Sequence, residues 1–118
     1  MSAVTWAGVA LLGGAGAVAR FLVDGAVAVR AKGELPVGTL AVNVSGAFML
    51  GLVAGLALSG DALLLAGTAT LGSYTTFSTW MLETQRLVED GEGRVAAVNV
   101  GLSIAAGLAA VALGRTLG

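Results

Sequence analysis

The sequence predicts an all-α membrane protein of four transmembrane helices, the third broken near mid-membrane, and three observations predict it. The chain of 118 residues is 57% hydrophobic and 11% charged, with a mean hydropathy of +0.94. A soluble domain of this size cannot hide so much apolar surface behind so few charges, so lipid must act as the solvent. Four apolar segments, each long enough to cross the hydrocarbon layer, account for nearly the whole chain. At the centre of the third lies the run Gly72-Ser-Tyr-Thr-Thr-Phe-Ser-Thr79, in which seven of eight residues are glycine or carry a hydroxyl. Polar groups are most costly at that depth, which marks the run as a functional site.

The first span is expected at 3–29, interrupted by Arg20 and Asp24. It has no basic leading region and is too long for the apolar part of a signal peptide, so it reads as a retained helix. The second, 36–59, begins at Pro36, a residue suited to a helix's first turn. The third is bounded by Asp61 and Glu83 and covers 61–84, with the break near 72–76. The fourth runs over 94–117. Short charged connections separate them, leaving a single four-helix domain over 1–118 with almost no mass outside the bilayer.

Composition also excludes chemistry. Cysteine and histidine are both absent, which removes disulfides, thiol catalysis and imidazole ligands together. No carboxylate pair falls at mid-membrane, so no enzyme is expected. Six scattered basic residues and a net charge of −1 make no phosphate-binding patch, which argues against nucleic acid. Nineteen glycines, several at small-residue spacing (Gly51 and Gly55; Gly101 and Ala105), permit close backbone contact between helices. They could pack the four helices together or reserve faces for another chain. Four helices rarely enclose a polar pathway alone, so an oligomer is expected.

Arg20 and Asp24 are one helical turn apart and able to pair; a structural brace is favoured over ion binding. Asn43, inside the second span, needs partners; helix-to-helix bonding and a pore-lining role weigh equally. Asn99, Ser103 and Gly107 form a narrow polar and small stripe on the fourth span, which suits a path or a close helix contact. Thr39 and Ser45 are assigned no role beyond bonding to their own helix. In the third span the β-branched Thr75 and Thr76, together with Gly72, weaken the helix. A break there frees carbonyls that only protein or a bound ion can satisfy, and converging carbonyls suit a hard cation such as Na⁺. Phe77 and Trp80 follow on one face of the resumed helix.

Three stretches in the right order resemble the Fluc (CrcB) family of fluoride channels. They are Gly13-Gly-Ala-Gly-Ala-Val-Ala-Arg20, Gly38-Thr-Leu-Ala-Val-Asn-Val-Ser-Gly46, and Thr75-Thr-Phe-Ser-Thr79 with Glu83 four residues on. The resemblance implies a bacterial inner-membrane channel that passively exports fluoride and protects against its toxicity. It implies an antiparallel, dual-topology dimer with two pores and a structural Na⁺ at the interface, held by the backbone carbonyls of Gly72 and Thr75. Asn43 would bond the anion or orient the aromatics, and Phe77 with position 80 would form an aromatic box. Ser103 would belong to a hydroxyl track, Thr76, Ser78 and Thr79 to the polar surroundings of the pore, and Arg20, Asp24 and Glu83 to its structural frame. The chain departs from the family at position 80, which is Trp where the family has a phenylalanine. Ser73 and Tyr74 replace a smaller pair.

Arg30, Lys32, Arg86 and Arg94 fall in the first and third connections, against Arg115 and the amino terminus on the other side. The positive-inside rule then favours one orientation, with both termini outside. A preferred orientation suits pairing with an oppositely oriented paralogue; a homodimer is nonetheless favoured. Two alternatives remain: a small proton-coupled multidrug exporter and a non-transporting assembly subunit. The exporter should need an embedded carboxylate in the first helix, where only Asp24 stands, near its end. The assembly subunit leaves the hydroxyl-rich run without a purpose.

Overall fold

The computed structural model describes residues 1–118 as an all-helical chain without strands. Helix α1 spans Ala3–Arg30, α2 Val37–Gly55, α3 Gly60–Leu63, α4 Gly72–Tyr74, α5 Ser78–Glu89 and α6 Gly93–Leu117, with a π-helical segment, Leu64–Leu71, between α3 and α4. Three of these, α1, α2 and α6, are long and apolar enough to cross a membrane. The molecule is 50 Å long, enough to span a bilayer with its headgroups, about 40–45 Å deep. Only 15 of its 118 residues are buried. So thin a core requires lipid or other protein to cover the remaining apolar surface.

Helix α1 starts at a true cap: the Ser2 hydroxyl accepts from the Thr5 amide at 3.1 Å. The Thr5 hydroxyl in turn donates to the Asp61 carboxylate at 2.9 Å, tying the start of α1 to the start of the third segment. Helix α2 begins directly after Pro36 and ends at Gly55, four residues short of the expected 59. The chain leaves it through Ala57 at φ 55, a left-handed conformation that terminates helices.

Helices α2 and α6 make the closest pairing because glycine removes the side chains between them. A Cβ on Gly51 would strike the Val111 carbonyl, one on Gly55 the Arg115 carbonyl at 2.6 Å, and one on Gly114 the Phe48 carbonyl. Gly101, of the fourth span's small-residue pair, faces nothing within 4 Å. Helix α1 packs on the π-helical segment through Gly16, where a Cβ would meet the Thr70 carbonyl and the Ser73 hydroxyl.

The third segment departs most from expectation. Its first half winds partly as a π-helix: the Gly72 amide closes on the Gly67 carbonyl, and the Thr70 hydroxyl donates to the Leu65 carbonyl at 2.7 Å. The wider winding was not foreseen, because no single residue type demands it. The break itself falls at Thr75–Phe77 rather than 72–76. Gly72 stays helical, since the Thr75 amide still reaches the Leu71 carbonyl at 3.0 Å, and the chain turns extended only at Thr75 (φ −81, ψ 161).

Candidate functional site

A broken helix leaves amides and carbonyls without ladder partners, and each must be satisfied. Asn43 on α2 does most of this. Its Nδ2 donates to the Thr76 carbonyl at 2.7 Å, and its Oδ1 accepts from the Thr76 amide at 2.8 Å. A backbone amide can only donate and a carbonyl only accept, so this two-point clamp fixes the orientation of the Asn43 amide. The Thr76 hydroxyl then accepts from the Thr79 amide at 3.1 Å and caps α5.

These two substitutions decide which carbonyls are freed. In an unbroken helix the amide of Thr76 would close on Gly72 and that of Thr79 on Thr75. Both amides are diverted, so the carbonyls of Gly72 and Thr75 lose their ladder partners. The Phe77 amide makes no backbone bond either, which frees the Ser73 carbonyl as well.

An open cavity of about 370 Å³ collects Asn43, Gly46, Gly72, Thr75, Thr76, Phe77 and Trp80. Its floor is close-packed: a Cβ on Gly46 would strike the Thr75 methyl, with the Tyr74 ring at 3.3 Å. Tyr74 is buried, and its hydroxyl bonds that of Ser45 at 2.9 Å. Ser45, expected to bond only its own helix, therefore also holds α4 in place. Phe77 stands at the cavity's mouth, 70% exposed, and meets Trp80 edge-on with ring centroids 5.7 Å apart and planes at 81°. The Trp80 indole nitrogen is buried without a hydrogen-bond partner.

A second cavity, about 270 Å³, shares Thr76 with the first and adds Arg20, Asp24, Thr39 and Thr79. The expected Arg20–Asp24 pair does not form. The Asp24 carboxylate instead lies against Gly38 of α2, where a Cβ would collide with it. Glu83 is braced by a hydrogen bond: the Thr39 hydroxyl, buried at the second cavity, donates to it at 2.5 Å. Sequence reasoning missed Thr39 because its partner lies 44 residues away.

Asn99 resolves as a helix contact rather than part of a path. It is almost wholly buried, and its Nδ2 donates to the Thr84 hydroxyl at 2.9 Å, which donates to the Trp80 carbonyl at 2.7 Å. This relay fastens the backbone of Trp80 to α6. Ser103, on the same helix, lines neither cavity, and Ser78 is exposed beside the break without a bond of its own. One chain therefore unites Asn43, Gly72, Thr75, Thr76, Phe77 and Trp80. It leaves Ser103 and Ser78 outside the cluster.

Known proteins match this sequence along nearly its whole length. The family model described as CrcB-like protein, Camphor Resistance (CrcB), matches residues 7–115. A protein of Mycolicibacterium paratuberculosis named fluoride-specific ion channel FluC 2 is 60% identical over 112 residues, 95% of this chain and 92% of its own length. Its namesake in Mycobacterium bovis is 56% identical over 98% of this chain and 91% of its own. Fluoride-specific ion channel FluC 1 of Symbiobacterium thermophilum is 40% identical over 98% of each. The match takes in the clamp residue on α2, the broken segment and the glycine-packed α6 together, and the chain belongs to the CrcB family.

Proposed function

We propose that the chain is a fluoride-selective channel of the bacterial inner membrane that lets fluoride leave passively and so protects the cell from it. The carrying observation is the Asn43 clamp. It holds a helix broken in mid-segment, so that polar groups and two aromatic rings share one cavity in an otherwise apolar molecule. The naming of relatives as fluoride channels at 40–60% identity supports the choice of ion.

The chemistry suits a small, tightly hydrated anion. Fluoride gives up water only to strong donors, which the second hydrogen of the Asn43 amide and nearby hydroxyls supply. The positive edges of Phe77 and Trp80 offer a further, apolar-walled station. The chain crosses the bilayer four times in this reading, with Gly60–Glu89 as the broken span. Phe77, mostly exposed in one chain, is covered by a second copy in an antiparallel dimer. Pairing with a paralogue is the second choice.

The carbonyls of Gly72 and Thr75 fit a sodium ion, because both are neutral, hard oxygen donors that have lost their ladder amides. Two oxygens are too few for one ion, and a second copy supplies the matching pair. Bound there, Na⁺ would add positive charge at the dimer interface. Replacing sodium by N-methylglucamine should shift the purified dimer toward monomer, read by light scattering. An unchanged dimer would remove the sodium site.

Fluoride efflux from liposomes, with chloride as control, tests the whole reading. Fast flux of fluoride alone is expected. Proton-coupled movement of organic cations would establish the exporter instead, and no flux of either kind the assembly subunit.

A further inference from the structure

The Trp80 indole nitrogen is the one buried side-chain polar atom in the structure that lacks a partner. An indole N–H can only donate, and leaving it unpaired away from water is unfavourable. Every other buried side-chain polar atom has a partner within the chain, and both amide atoms of Asn43 and the Nδ2 of Asn99 are bonded. The Trp80 side chain that carries the exception belongs to the lining of the cavity that also holds Asn43 and Phe77. It is not a loosely placed ring either. The Trp80 carbonyl is held to α6 through Thr84 and Asn99, and the indole is packed edge-on against Phe77.

The nitrogen has almost no accessible surface, so a partner for it must be about as small as a water molecule. We infer that the Trp80 N–H is a hydrogen-bond donor to the anion in the cavity beside Asn43, and that it is a selectivity-determining residue of this chain. The inference rests on the fluoride reading and deepens it. A phenylalanine at this position would present only a C–H edge to the ion. The indole adds a directed donor whose enclosure favours a monatomic ion small enough to enter.

The test uses the full chain in liposomes with Trp6→Phe, which leaves Trp80 as the single tryptophan. Titration with sodium fluoride should change its emission saturably, and sodium chloride at equal ionic strength should not. Replacing Trp80 by benzothienylalanine keeps the ring shape and deletes the N–H. Fluoride efflux should then fall by about tenfold to a hundredfold, the range expected for one hydrogen bond to a charged acceptor. Emission indifferent to fluoride means that water holds the N–H, and it overturns the inference. Undiminished efflux in the benzothienylalanine protein overturns it as well. If the unaltered chain carries no fluoride, the channel reading fails by itself, and the emission titration still decides the donor.

Discussion

Asn43→Ala should abolish fluoride efflux and destabilise the protein by about 2–6 kcal/mol. The alanine leaves both the amide and the carbonyl of Thr76 without partners, and each buried unpaired group costs about 1–3 kcal/mol. The break itself depends on this clamp. Without it the Thr76 amide is driven back toward the Gly72 carbonyl, which would close the helix and withdraw the freed oxygens from the cavity. Asn43→Asp separates the two bonds, since a carboxylate still accepts from the Thr76 amide but repels the Thr76 carbonyl. It should fold better than the alanine variant at neutral pH yet remain defective in flux. Thermal unfolding in detergent, followed by loss of the monodisperse peak, and liposome efflux together check both variants. An alanine variant of native stability would show that the clamp does not hold the break.

Gly114→Ala should be comparably severe for a different reason. The added methyl group meets the Phe48 carbonyl and the Leu52 amide, backbone atoms on α2 that no rotamer change can move. The two helices would have to separate along their whole contact, at a cost of about 1–3 kcal/mol or more from overpacking, and Gly51→Ala should do the same from the other side. Gly101→Ala is the control. Nothing lies within 4 Å of it in the chain, and alanine is the better helix former by up to about 1 kcal/mol. Folding should therefore be unharmed by it. Monodispersity and unfolding temperature of the three proteins read the difference directly. A Gly114→Ala protein as stable as the Gly101→Ala protein would show that α2 and α6 are not in backbone contact.

Much of the site was legible without coordinates because membrane depth penalises polarity. A glycine and hydroxyl run between apolar flanks can only be there for a reason, and its β-branched threonines located the break to within a few residues. Asn43 and Asn99 stood out on the same ground, as amides where leucine would serve. What each amide does was not legible. Asn43 balanced equally between bonding a helix and lining a pore; the structure shows the bond, a clamp on Thr76 made from a position on the cavity wall. Arg20 and Asp24 looked paired because spacing along one helix is all that a sequence displays. The nearer claim on Asp24 comes from the backbone of α2, through a glycine in another segment.

The sequence by itself therefore determined the lipid setting, the apolar helices, the weak point of the third segment and the family. All of these follow from local composition and the order of residues along the chain. Only the tertiary structure decided which carbonyls the break releases, that Thr39 braces Glu83, and that the Trp80 N–H has no acceptor. Hydrogen-bond partners 33 or 44 residues apart are chosen by how helices pack, and hydropathy carries no record of that choice.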